Sequence, residues 1–464
     1  LAAALRAGRL CALDVVESTL VRIRALDGST NAFAYFFEVG ARAAAREADR
    51  AREAGAPLGP LHGVPFTVKD VIATRGVRTA YGSRLFADHV PDVEPEAVAR
   101  LRRAGAILIG KTTSPEFAHK ILTDSPLHGI TRNPWNLAHS PGGSSGGAGA
   151  AAAMGFGALH LTTDGGGSSR VPAACCGVVG LKPTMGAVPN EATQDLFGLQ
   201  VLGAIGRTVS DVRLLYATTS GAFAADPFAA GLERQDLTPL AEPESALRGL
   251  RVRWFPRMGN PRVHPAVAAL TLAMVEAMSA AGAQVAEGGD IDWATDDWRV
   301  FMRTQQAHRF GADLPRVRDR LDPSMVACIE EGLALDAAAV RRAFMERSAL
   351  LRRVNAIFRD ADVFVSPVVA APPLLATHRA ADPLRIDGET VGPLRDCWYN
   401  YTIALNASGH PAMAVPCGRT SDGLPVGLQV VAPWRGEPRL LQVAAALERL
   451  RPWAHDWPAL ALPT

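Results

Sequence analysis

The chain has 464 residues, 48% of them hydrophobic and 20% charged, and its 48 Lys and Arg against 46 Asp and Glu give a formal net charge of +2. This composition excludes wholesale disorder, and it supplies neither the basic stripe of a nucleic-acid binder nor an acidic tail. Only four of the basic residues are lysines (Lys69, Lys111, Lys120 and Lys182), which singles out each of them, because lysine readily loses its proton and arginine does not.

Residues 1–55 read as two helices. One runs from Leu10 through Leu20, Ile23 and Leu26 at helical spacing; the other is an Ala/Arg/Glu stretch over Ala41–Ala54, stopped by Gly55, Pro57, Gly59 and Pro60. Val64–Val68 is a short buried strand ending at Lys69 and Asp70. Pro95–Ala104 is a helix, and Ala106–Gly110, apolar on both faces, a strand of the parallel type. Residues 130–147 form a loop rich in Gly, Pro, Ser and Asn. A small-residue helix at Ala148–Gly155, a strand at Ala158–Leu161 and a second Gly/Ser loop at Asp164–Arg170 follow. Residues 223–350 change character to Arg-rich helices carrying Trp293, Trp298, Phe301 and Phe310. Strands return at Val363–Val369, Ala412–Val415 and Val426–Val431 before a closing helix at Glu437–Leu450.

The alternation predicts one large α/β/α domain: a mixed, mostly parallel central sheet covered by helices on both faces, with a helical cap inserted. The longest apolar run, near Ala148–Leu161, is too short to span a bilayer, and no secretory leader opens the chain, so a soluble cytoplasmic protein is expected. The six cysteines, at 11, 175, 176, 328, 397 and 417, form no framework and are expected to be reduced and buried. The 11 histidines show no ligand cluster, so neither a metal nor another cofactor is expected.

The chemistry concentrates in Pro141-Gly-Gly-Ser-Ser-Gly-Gly147 and Thr163-Asp-Gly-Gly-Gly-Ser-Ser-Arg170. Such glycine runs let backbone N–H groups approach a ligand, either to cradle a phosphate or to line an oxyanion hole. Neither loop contains the lysine of a Walker motif, and neither fits the dinucleotide fingerprint, so the phosphate reading drops out. Gly142-x-Ser144-x-Gly146 satisfies the nucleophile-elbow pattern, but turn-rich Asn133–Pro141 precedes it where an apolar strand is needed. An α/β-hydrolase using Ser144, with His378 or His410 downstream, is the alternative from another class.

Together with Gly63–Asp70, Asn133-Pro134-Trp135, Pro172–Thr184, Gly203–Asp211 and Gly423–Gln429, these loops closely resemble the amidase signature family over about residues 1–220 and 360–450. The resemblance implies one amidase signature domain over 1–464: N-terminal helices (1–60), catalytic core (61–222), helical cap insert (223–350) and the C-terminal part of the core (351–464). It further implies Ser168 as nucleophile, Ser144 as a bridging serine on a cis peptide after Gly143, and Lys69 as base. The oxyanion hole would come from the N–H groups of Gly165, Gly166, Gly167 and Ser168. For Lys69 to act as base at neutral pH, burial must lower its pKa from about 10.4 by several units. Ser145, Asp164 and Arg170 are expected to hold the loops in place, and Lys111, Lys182 and Arg207 to be structural. Cys175 and Cys176 read as packing residues rather than nucleophiles.

Hydrolysis of a small aryl or alkyl amide is the expected activity. A carbamate or ester hydrolase with the same triad is one alternative, and the ammonia-releasing component of glutamyl-tRNA amidotransferase another. Trp398, Tyr399 and Tyr401, around Thr402–Asn406, suit an apolar acyl pocket better than a zwitterion. The aromatics of the insert read as core residues that could also reach that cavity. The expected partner is a small amide or carbamate substrate, with a homodimer as one option and with no nucleic acid or membrane.

Overall fold

In the computed structural model, which describes residues 1–191, 198–289 and 296–462, the short apolar runs collapse onto one 11-stranded sheet. From one edge the order is Phe33–Phe36, Ile107–Thr112, Pro65–Lys69, Leu159–Asp164, Val201–Gly206 and Val179–Lys182. It continues through Ala412–Arg419, Pro425–Val431, Val363–Pro367, Arg251–Trp254 and Gln284–Glu287. Central strands such as Leu159–Asp164 are buried at every position, because helices cover both of their faces. Side chains alternate between two cores: Val363 and Val365 join one, Phe364 the other.

The sheet is mixed, as expected, but not mostly parallel: six of its ten neighbouring pairs are antiparallel. In one of these pairs connection length decides the direction. Only a short turn separates Ala412–Arg419 from Pro425–Val431, and a parallel return needs a crossover of a dozen or more residues. The stretch 223–350 is also not purely helical. Arg251–Trp254 and Gln284–Glu287 are parallel strands joined across helix Pro265–Ala280, and they form the sheet edge. Their short, arginine-bearing alternation (Val252 and Trp254 inward, the arginines outward) carries too little apolar signal to stand out among helices. The helices that follow begin at Asp296–Phe310 and run to Ala337–Ile357.

Of the six free cysteines five are buried, while Cys11 is exposed, contrary to expectation, at the N-cap of helix Ala12–Thr30. Among the described residues no helix is long and apolar enough to cross a membrane. The parallel neighbours Pro65–Lys69 and Leu159–Asp164 end side by side, so their carboxyl ends bring Lys69 next to Thr163 and Asp164. Ligands of α/β sheets commonly sit beyond such carboxyl ends.

Candidate active site

Lys69 closes its strand and is wholly buried. Its Nζ lies 2.7 Å from Ser144 Oγ and 2.8 Å from Thr163 Oγ1, and Ser144 Oγ donates to Ser168 Oγ over 2.8 Å. The Gly143–Ser144 peptide is cis. The three sequence-predicted residues therefore form one unbroken chain of hydrogen bonds that ends at Ser168. Burial is the main cause that pushes the Lys69 pKa well below its ordinary value, against the opposing pull of Asp164. Thr163 carries no sequence signal of its own as a site residue; it takes part through its place at the end of the neighbouring strand.

Asp164 organises the second loop. Its carboxylate accepts from Gly167 N–H at 2.7 Å, Ser169 N–H at 3.1 Å and the Arg170 guanidinium at 2.9 and 3.0 Å. Burial pushes this carboxyl up, but Arg170 and these donors outweigh it and hold it well below the usual range. Arg170, fully buried, also donates to Asn406 Oδ1 and Gln429 Oε1, tying the loop to the C-terminal part of the chain. Ser145 bridges the two loops: its N–H reaches Ser168 O and its Oγ reaches Thr163 O, both at 3.2 Å. Gly167 sits at φ +119°, and a Cβ there would lie 2.3 Å from Thr402 Oγ1, so no other residue fits.

The expected oxyanion donors divide. The Gly167 N–H is committed to Asp164, whereas those of Gly165, Gly166 and Ser168 have no acceptor among the described residues. Gly165, Gly166 and Ser168 all line a cavity with Ile121, Trp298, Met302 and Tyr399. His119 and Lys120, also on its wall, had no sequence signal for that place. Lys120 is paired with Asp124 and Asp322 at 2.7 and 2.6 Å, and His119 meets Ser324 Oγ at 2.6 Å, so both fasten the wall to helix Pro323–Leu333.

Of the three aromatics expected near Thr402 only Tyr399 reaches the cavity. Trp398 and Tyr401 point into the core, where they donate to Ala371 O at 2.9 Å and Pro256 O at 2.7 Å. From the insert Trp298 lines the cavity, Phe301 is core, and Phe310 packs on Phe117 at 4.6 Å; Trp293 lies outside the described residues. The elbow alternative fails on geometry, since Ser144 bonds to Lys69 and Ser168. His410 is engaged with Ser408 and Asn355, and His378 with Asp382 O. Cys175 and Cys176 are buried and their thiol pKa values are raised by that burial, which unfits them as nucleophiles. Among the described residues no three His, Cys, Asp or Glu side chains are grouped to hold a metal ion.

Comparison with known proteins gives the family. The model of the family described as Amidase matches residues 14–441. An acylamidase of Rhodococcus erythropolis is 36% identical, over 100% of this chain and 97% of its own length. A putative amidase of Mycobacterium tuberculosis is 34% identical, over 97% of this chain and 93% of its own. Among solved structures, a bacterial aryl acylamidase of the amidase signature family superposes with a TM-score of 0.91 at 27% identity, covering 100% of this chain and 98% of that one.

Proposed function

Because this chain belongs to the amidase signature family, and so is a hydrolase of carbon–nitrogen bonds in linear amides, we propose that it cleaves small aryl or alkyl amides through Lys69, Ser144 and Ser168. The observation that carries the reading is the buried Lys69–Ser144–Ser168 chain, with links of 2.7 and 2.8 Å. A neutral Lys69 takes the Ser144 proton while Ser144 takes that of Ser168. The Ser168 oxygen then forms a bond to the amide carbon. Negative charge gathering on the carbonyl oxygen is met by the uncommitted N–H groups of Gly165, Gly166 and Ser168. Collapse breaks the carbon–nitrogen bond, and the proton returns through Ser144 to the leaving amine. Water then attacks the acyl carbon and gives a proton through Ser144 to Lys69; the bond from that carbon to the Ser168 oxygen breaks, the proton returns to Ser168, and the carboxylic acid leaves.

The cavity wall supports this substrate class. Ile121, Trp298, Met302 and Tyr399 offer apolar surface, and no carboxylate among the described lining residues would hold an α-ammonium group. This favours an aryl or alkyl acyl group over glutamine, and the likeness to acylamidases supports the same choice. The test is a hydrolysis panel of p-nitroanilides, aliphatic amides, carbamates, esters and glutamine, run with hydroxylamine as trap. Aryl or alkyl amides should turn over fastest and give the hydroxamate, and Ser168→Ala should abolish both products. Preference for glutamine would overturn the substrate assignment; a folded Ser168→Ala enzyme that still turns over would overturn the nucleophile.

A further inference from the structure

The loop that presents the oxyanion donors is held from behind by three side chains, one for each successive carbonyl. Asn406 Nδ2 donates to Asp164 O at 2.7 Å, Trp298 Nε1 to Gly165 O at 3.0 Å, and Thr402 Oγ1 to Gly166 O at 2.7 Å. In a planar trans peptide the C=O and the following N–H point in opposite directions. Fixing each carbonyl therefore fixes the N–H of the next residue, respectively Gly165, Gly166 and Gly167. Asn406 and Thr402 come from one helix, Asn400–Ser408, in the C-terminal part of the core. Trp298 comes from the insert, on helix Asp296–Phe310.

The middle peptide most needs such a constraint. It joins two glycines, whose backbone torsions are the least restricted of any residue, and the Gly166 N–H has no acceptor among the described residues. The Gly167 N–H, by contrast, is locked by Asp164 as well. The indole also packs against the loop. A Cβ on Gly166 would lie 2.9 Å from Trp298 Cζ2, so the ring bars the space into which that residue could swing. On its other contacts Trp298 is 7% exposed, with the Arg395 guanidinium 5.8 Å from its ring centroid and Arg395 itself bonded to His119 O at 3.1 Å.

We propose that Trp298 is a positioning residue for the oxyanion-binding loop: its indole N–H sets the orientation of the Gly165–Gly166 peptide and so aims the Gly166 N–H at the developing oxyanion. The insert thereby contributes to catalysis as well as to the cavity wall. The inference rests on Ser168 acting as the nucleophile, as set out above.

The experiment compares wild type with Trp298→Phe, which keeps an aromatic wall and loses the donor. A second variant replaces Trp298 by 3-benzothienylalanine, which keeps the bicyclic shape and puts sulfur where the N–H was. Each is assayed on a p-nitroanilide, and inhibition is measured with an aryl trifluoromethyl ketone, which forms a tetrahedral adduct with a serine, and with the carboxylic acid product. We expect kcat to fall about tenfold or more in both variants while KM stays within about twofold. The ketone Ki should rise by the factor that kcat/KM falls, with product inhibition unchanged, because an oxyanion donor acts on the tetrahedral state and not on the ground state. Wild-type kcat and ketone Ki in the benzothienyl enzyme would overturn the proposal, as would a rise in KM alone. Wild-type enzyme that forms no ketone adduct, or a Ser168→Ala enzyme that still does, would instead overturn the nucleophile assignment, so the two failures are distinguishable.

Discussion

Two lysines on neighbouring strands share almost every property except what their ammonium groups face. Lys69 and Lys111 are both wholly buried, and both have pKa values pushed down by that burial, Lys111 to about 7. Their strands pair in parallel with Val68 opposite Lys111 and Lys69 opposite Thr112, so the two side chains leave the sheet on opposite faces. Lys111 donates to Ile72 O, to Thr74 Oγ1 at 2.8 Å and to Thr79 Oγ1 at 3.1 Å. Both threonine hydroxyls pass their own protons to carbonyls, Ile72 O and Val77 O. That network is closed, since a carbonyl has no proton to give. The network of Lys69 is open, because Ser144 hydrogen-bonds to another hydroxyl, Ser168, which stands on the cavity wall and has a proton of its own to give. A depressed pKa is common to both sites; the open chain of hydroxyls is what distinguishes Lys69, and it is the ground for the proposal that Lys69 acts as the base.

The largest break in this comparison comes from removing the open end. Lys69→Met should lower kcat on a p-nitroanilide by about 10²–10⁴-fold, the range for loss of a general base. Lys69→Arg should be nearly as damaging, because it keeps a charge but cannot give up the proton. Thermal unfolding of both variants reports whether the fold survives. A folded Lys69→Met enzyme with wild-type turnover would place the two lysines in the same structural class.

A smaller and sharper test is the pH profile. In the proposed mechanism the reactive form of Lys69 is the neutral amine, and its pKa is lowered, so kcat/KM should rise with pH through a limb well below about 10.4. Asp164, held below the usual carboxylate range, stays ionised across that limb, so its protonation should cost activity only in strong acid. A limb at the position of an ordinary lysine would contradict the burial argument.

That Lys69, Ser144 and Ser168 come together was legible in the sequence through the stretches that resemble the amidase signature: Lys69 ends an apolar run, and the two serines sit in glycine loops. The supports behind them were not, since Trp298, Thr402, Asn406 and Gln429 come from distant segments and reach the loops only through the fold. Trp398 and Tyr401 show the converse error. Their place next to Thr402 pointed to a cavity, but each side chain turns into the core to satisfy its polar tip. The commitment of the Gly167 N–H to Asp164 is likewise a matter of backbone direction, which a run of three glycines leaves unspecified.

The smallest expected effect on activity tests the other half of the comparison. Lys111→Met should leave kcat/KM within about twofold, because no hydrogen bond among the described residues joins Lys111 or its partners to Ser144 or Ser168. It should lower stability instead, since Ile72 O and the two threonine hydroxyls lose their donor in a buried site, at a cost of about 1–3 kcal/mol. The pH dependence has a definite sign. With a folded pKa of about 7 and an unfolded value near 10.4, the unfolded chain binds the extra proton between those limits, so the contribution of Lys111 to stability rises with pH across that window. The stability gap between wild type and Lys111→Met, measured by denaturant unfolding at several pH values, should therefore widen from about pH 7 towards pH 10. A gap that stays flat or narrows would mean that Lys111 keeps its proton in the fold, and a large loss of kcat would join its network to the catalytic one.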